Sequence, residues 1–257
     1  MNTKNEKSSG KWEKKGIEQF KDQDYKAAIR FLEKGAKENP NDANIWNLLG
    51  VSYEKIGNYQ KEVQYCKMAV NIEPKNASAW YNLGVGYTKL NKHERAIDCY
   101  LKSIEIEPNQ AHTWFNLGLG YMHIKKFQNS IESFQKVVKL QNNNLKAWKT
   151  LGYLYSKLGN HKEAIESFKK VIERDPLNAT AYYNMGVNYF NIGEDLNAIQ
   201  HYEKSIEIQP NNEKPWFNLG VIYSNLENYP KAIESFEEVI KINPENQEAF
   251  NYLDKLK

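Results

Sequence analysis

Cysteine is scarce in this chain: Cys66 and Cys99 are the only two among 257 residues, too few for a disulfide scaffold or a four-cysteine zinc site. Arginine is scarcer than the 35 basic residues suggest, with Arg30, Arg95 and Arg174 alone. That shortage and a net charge of only +3 weigh against a nucleic-acid surface. No apolar run approaches the roughly 18 residues that a bilayer span requires. Met1 to Gly10 is hydrophilic and lacks the apolar core of a signal peptide, so a cytoplasmic protein with a disordered tail at 1–8 and no membrane partner is expected. A glycine-rich phosphate loop is missing too, because glycines recur inside helical patterns. The histidines are His93, His112, His123, His161 and His201, and no pair has metal-ligand spacing beside a carboxylate on one predicted face. His112 and His123 share a helix but stand about 16 Å apart along it. An enzyme needs converging groups. Here none are expected: no catalytic residue, no metal, no cofactor.

What the chain has is a period. Pro40, Pro74 and Pro108 stand 34 residues apart, and the series resumes at Pro176, Pro210 and Pro244 after a slot held by Asn142. All the tryptophans keep the same step, at Trp12, Trp46, Trp80, Trp114, Trp148 and Trp216, with Tyr182 in the remaining place. So do Gly16, Gly50, Gly84, Gly118, Gly152, Gly186 and Gly220. Seven units of this length point to a helical array. Within one unit, Trp80, Leu83, Gly84 and Tyr87 fall on one helical face. A breaker at 90–92 follows. A second apolar stripe then carries Ala96, Ile97, Tyr100, Ile104 and Ile106, and Pro108 ends it. Gly84 is expected opposite Ala96, where two backbones approach.

The Trp-x2-Leu-Gly-x2-Tyr…Ala…Pro pattern resembles the tetratricopeptide repeat (TPR) family, in register over nearly the whole chain. The pentatricopeptide array, with a longer period, lacks this signature. The resemblance implies an all-α, right-handed superhelical α-solenoid of helix-turn-helix units at 9–42, 43–76, 77–110, 111–144, 145–178, 179–212 and 213–246. In unit one, Lys15 and Gln19 stand where inner units carry Leu and Tyr, as suits an end unit. A solvating cap helix is expected at 247–257, with Ala249, Phe250, Leu253 and Leu256 on its apolar side.

In this family the first helix of each unit lines a concave groove that binds extended peptides or partner helices. Three groups of residues fall on that face. Asn82, Asn116, Asn184 and Asn218 form a row interrupted by Thr150, able to bridge a peptide's N–H and C=O. The row resembles the asparagine ladder of the O-linked N-acetylglucosamine transferase superhelix, although asparagine at this slot is also a family habit. Tyr81, Phe115, Tyr183 and Phe217 form an aromatic floor that either anchors a ligand or packs between units. Eight lysines, among them Lys89, Lys146, Lys149 and Lys157, face only Glu13 and Glu54, a net of +6. Unit five departs most from its sisters, with Lys146, Lys149 and Thr150 and the proline-free junction before it. It reads as the specificity region for an acidic segment, with a merely solvated lysine face as the alternative. The carboxylate-clamp subclass is excluded, because its asparagine slot holds Ile17, Val51, Val85, Leu119, Tyr153, Val187 and Val221.

The expected function is therefore a non-catalytic protein–protein interaction scaffold for an extended acidic peptide. Self-assembly into a homo-oligomer is the second reading, and binding of a single-stranded nucleic acid the third. Three local expectations accompany it. Cys66 replaces a core aromatic and should be buried. Cys99 should lie on the outer helical surface. Glu62 occupies a slot held elsewhere by Ala96, Ala164, Ala198 and Ala232, where a carboxylate costs stability unless it reaches solvent, so Glu62→Ala should stabilise the array.

Overall fold

A computed structural model describes residues 10–256, and the expected tail at 1–8 lies outside them, as does Lys257. Fifteen helices and no strand occur among the described residues. They divide into two compact units, Met1–Asn142 and Asn143–Lys257. The first contains α1 (Lys11–Lys21), α2 (Tyr25–Glu38), α3 (Ala43–Lys55), α4 (Tyr59–Ile72), α5 (Ala77–Lys89), α6 (His93–Ile106), α7 (Ala111–His123) and α8 (Phe127–Leu140). The second contains α9 (Leu145–Lys157), α10 (His161–Ile172), α11 (Ala179–Asn191), α12 (Asp195–Ile208), α13 (Glu213–Asn225), α14 (Tyr229–Ile242) and α15 (Gln247–Leu256). In each unit every helix packs on the next, and α1 also touches α3, α3 touches α5, α5 touches α7 and α9 touches α11. The division falls where the sequence replaces the junction proline by Asn142. No helix among the described residues is long and apolar enough to cross a membrane.

The period has a concrete cause at the junctions. The indole N–H of Trp46 donates to the carbonyl of Pro40 at 2.8 Å, and Trp80 does the same to Pro74 at 2.9 Å. Trp114 bonds Pro108 at 2.7 Å, and Trp216 bonds Pro210 at 3.3 Å. These four tryptophans tie their helices to the loops that precede them, so tryptophan and proline keep the same step there. Helix starts are fixed by side-chain caps, with Asp24, Asp42, Asn58 and Asn76 each accepting from a backbone N–H of the first turn.

The repeated glycine serves close packing, and its nearest neighbour is a residue that the pattern did not single out. A Cβ added to Gly84 would meet the Tyr100 ring at 2.6 Å. The same holds for Gly118 against Phe134, Gly186 against Tyr202 and Gly220 against Phe236. In these repeats the glycine is a seat for an aromatic ring from its own second helix, whereas Gly16 faces Leu32 and Gly50 faces Cys66. Helical periodicity names the face a residue occupies and leaves open which residue sits across from it.

Between the two helices of each repeat, one turn residue takes the left-handed conformation. Gly57, Gly159 and Gly193 do so at φ 77°, 78° and 76°, but Gln23, Asn91, Lys125 and Glu227 do so at 63°, 55°, 60° and 58°. A side chain there opposes the conformation. Lys125→Gly is expected to raise stability by about 1 kcal/mol, seen as a higher urea midpoint with unchanged slope. A lower midpoint would show that the Lys125 side chain compensates.

Candidate ligand-binding face

The odd-numbered helices α3, α5 and α7 present one face of the first unit, and α9, α11 and α13 one face of the second. On the first, Asn82 Nδ2 donates to Asn47 Oδ1 at 2.9 Å, and Asn116 Nδ2 donates to the Tyr81 hydroxyl at 3.1 Å. Both bonds join residues 35 apart, an asparagine on one first helix and an acceptor on the previous one. These two members of the row are thus engaged internally. Asn47, which sequence reasoning passed over, is part of it.

On the second unit the row behaves differently. Asn218 Nδ2 donates to the Tyr202 hydroxyl at 3.1 Å. Asn184 has Lys149 at the corresponding position 35 residues back. A lysine ammonium has no acceptor to offer, and this one lies 3.8 Å from Asp175. Among the described residues nothing accepts from the Asn184 side-chain amide. Its backbone carbonyl receives Asn188 Nδ2 at 2.7 Å.

The aromatic floor is half-buried, and its rings pack chiefly within their own repeats. Tyr81 lies 5.9 Å from Tyr100, Phe115 5.2 Å from Phe134, Tyr183 5.8 Å from Tyr202 and Phe217 5.6 Å from Phe236. Tyr81 also meets His112 edge-on at 4.5 Å, and Phe217 meets Tyr252 of α15 at 5.8 Å. Burial raises the Tyr81 and Tyr183 hydroxyls above the usual tyrosine range, partly offset by the bonds from Asn116 and Asn218. Tyr153 is the exception on this face, at 52% exposure, where sister repeats carry the half-buried Val85, Leu119, Val187 and Val221. The Lys157 ammonium lies 5.8 Å from its ring centre.

Of the lysines expected here, Lys89, Lys146 and Lys157 are exposed and Lys149 is half-buried. Lys55 is paired with Glu54 at 3.1 Å. Lys146, Lys149, Tyr153 and Lys157 thus all lie on α9, which touches α11, the helix that carries Asn184.

Elsewhere, two expectations change. Cys99 is 4% exposed, not on the surface. It belongs to a core cluster against which Trp80 packs, and burial pushes its thiol up to about 12. Cys66 is buried as expected and its thiol is likewise raised. The histidines also hold a pair that sequence spacing did not reveal, for His93 and His123 stack face to face at 4.2 Å. Parallel rings do not converge on one ion, and no group of three or more metal-ligating side chains gathers among the described residues.

Profiles of the tetratricopeptide repeat match residues 77–110, 145–178, 179–212 and 214–246. Two further tetratricopeptide repeat profiles match 14–77 and 111–144. No curated protein sequence matches. Among solved structures, the chain is similar to the C-terminal part of a TPR protein from Cytophaga hutchinsonii, at 19% identity and TM-score 0.78, covering 93% of this chain and 98% of that one. It is similar to YrrB, described as a TPR protein with an unusual peptide-binding site, at 23% identity and TM-score 0.67, covering 72% and 95%. MamA from Desulfovibrio magneticus RS-1 shares 23% identity at TM-score 0.62, covering 66% and 97%. At these identities the likeness is one of fold.

Proposed function

This chain belongs to the tetratricopeptide repeat family, and on that premise we propose that it is a non-catalytic scaffold holding an extended, acidic peptide segment of a partner protein. The observation that carries the reading is the Asn184 amide, which finds no acceptor among the described residues, beside the lysine-bearing face of α9. Asn82 and Asn116 are committed to internal bonds, so the ligand's backbone is read at Asn184. Lys146 and Lys149 supply charge, and exposed Tyr153 supplies an apolar anchor. YrrB, similar in fold, is described as having a peptide-binding site, which supports a peptide as the class of ligand.

Fluorescence anisotropy with a labelled peptide of alternating glutamate and glycine tests this against a serine–glycine peptide of the same length. The acidic peptide should bind more tightly, and its affinity should fall as salt rises. Asn184→Ala should weaken it about fivefold without moving the melting temperature, whereas Asn82→Ala should move stability more than affinity. Equal binding of both peptides at every salt concentration would sink the acidic reading.

A further inference from the structure

Repeat seven leaves open a slot that repeat two fills with its own side chain. In repeat two the Tyr65 ring lies between Trp46, at 5.6 Å and 17°, and Tyr53, at 5.3 Å and 22°. The Tyr53 hydroxyl donates to Glu33 at 2.9 Å, and Lys61 covers the Tyr53 ring at 4.6 Å from its centre. Five repeats further on, the same frame recurs as Trp216, Tyr223, Glu203 and Lys231. Lys231 lies 5.1 Å from the Tyr223 ring centre, and the Tyr223 hydroxyl reaches Glu203 at 3.5 Å. The middle ring has no counterpart, because Ser235 stands in the Tyr65 position and its hydroxyl turns back to the Lys231 carbonyl at 2.8 Å.

The result is a cavity of about 230 Å³ among α12, α13 and α14, lined by Trp216, Tyr223, Leu219, Ile206, Glu203 and Glu234. A second cleft of about 440 Å³, which reaches Tyr182 and Glu207, shares Glu203 with it. Trp216 is two residues from Asn218 and so points to the other side of α13. This cleft is therefore distinct from the face proposed for the acidic peptide. Its cations are already engaged: Lys204 with Glu207 at 2.7 Å, and Lys231 on the Tyr223 ring. Glu203 and Glu234 line the cavity wall.

We propose that this cleft takes the aromatic side chain of a partner peptide that carries a basic residue beside that ring. The molecule supplies the template for the occupant, since Tyr65 shows that a tyrosine fits between Trp46 and Tyr53, the repeat-two equivalents of Trp216 and Tyr223. The charge follows from the carboxylates at the cavity wall. The inference goes beyond the function proposed above and concerns a second surface.

Titration of the full chain with amidated Gly-Lys-Tyr-Lys-Gly, followed through the indole N–H resonance of Trp216 (assigned by loss in Trp216→Phe), tests it. A saturable shift is expected, with affinity about tenfold above that of Gly-Lys-Ala-Lys-Gly. Glu203→Gln should weaken the tyrosine peptide and leave uncharged p-cresol unaffected. Ser235→Tyr should fill the slot from within, raise the melting temperature and abolish the shift. Equal affinity for the tyrosine and alanine peptides would overturn the proposal. So would tighter binding of Gly-Lys-Arg-Lys-Gly, which would make the slot a guanidinium site. If Ser235→Tyr does not fold, the peptide comparison on the wild-type chain decides alone.

Discussion

Gly84→Ala is expected to lower stability by about 2–3 kcal/mol, measured as a reduced urea midpoint. The added Cβ would stand 2.6 Å from the Tyr100 ring, well inside van der Waals contact. The ring cannot step aside, because it is 1% exposed and its hydroxyl is bonded to Thr88 at 3.0 Å. A helix-interior glycine otherwise gains about 1 kcal/mol on conversion to alanine, so the loss has to exceed that gain to be seen. Gly35→Ala provides the contrast. Its Cβ would meet nothing closer than 3.4 Å, and it should leave stability unchanged or raise it. Equal effects at both positions would mean that the close approach at Gly84 has no energetic weight.

The second large effect belongs to Glu62. Its side chain does not reach solvent, being 1% exposed. Its Oε2 is buried without a hydrogen-bond partner. Gly86 makes room for it, since a Cβ there would stand 3.0 Å from the Glu62 carboxyl carbon. Burial, reinforced by Glu54 and opposed by Lys89 and Lys55, raises its pKa from 4.5 to about 8. Below pH 4.5 the acid is protonated in both folded and unfolded chains, and the group is neutral to stability. Between 4.5 and 8 the unfolded chain releases the proton while the folded chain keeps it, so stability falls as pH rises; above 8 the penalty is constant. At about 1.4 kcal/mol per pH unit, the loss by pH 7 is on the order of 3 kcal/mol. Glu62→Gln should remove this slope and be the more stable protein at pH 8. Glu62→Ala leaves a void against Gly86 worth about 1–2 kcal/mol, and should still melt higher than wild type near neutral pH. A wild-type melting temperature that stays flat from pH 5 to 8 would refute the account.

Much of this was legible in the chain itself. The 34-residue step of tryptophan, glycine and proline was enough for the repeat number, the two-helix unit and the C-terminal helix, because periodicity reports which face is buried. Partners across an interface were not legible. The seat of Gly84, the burial of Cys99 and the His93–His123 stack all depend on how one helix slides along another. The asparagine row shows the boundary most clearly. Its residues were readable at their step. That Asn82 and Asn116 are spent on the preceding first helix, while Asn184 has Lys149 at the same 35-residue offset, follows from a pairing that appears only when the helices are assembled. The glutamate at 62 was readable as an anomaly, and the structure adds why it is tolerated: the glycine opposite.

The tie between four of the tryptophans and their junction carbonyls has a practical consequence for spectroscopy. Every repeat except the sixth carries one indole, and the sixth carries Tyr182 instead. Four of these indoles donate to the loop that joins them to the preceding repeat. Release of a junction would bare that indole to water and shift its emission to the red. Single-tryptophan variants would therefore report the melting of the array one repeat at a time, with the sixth repeat dark by nature and serving as the internal blank.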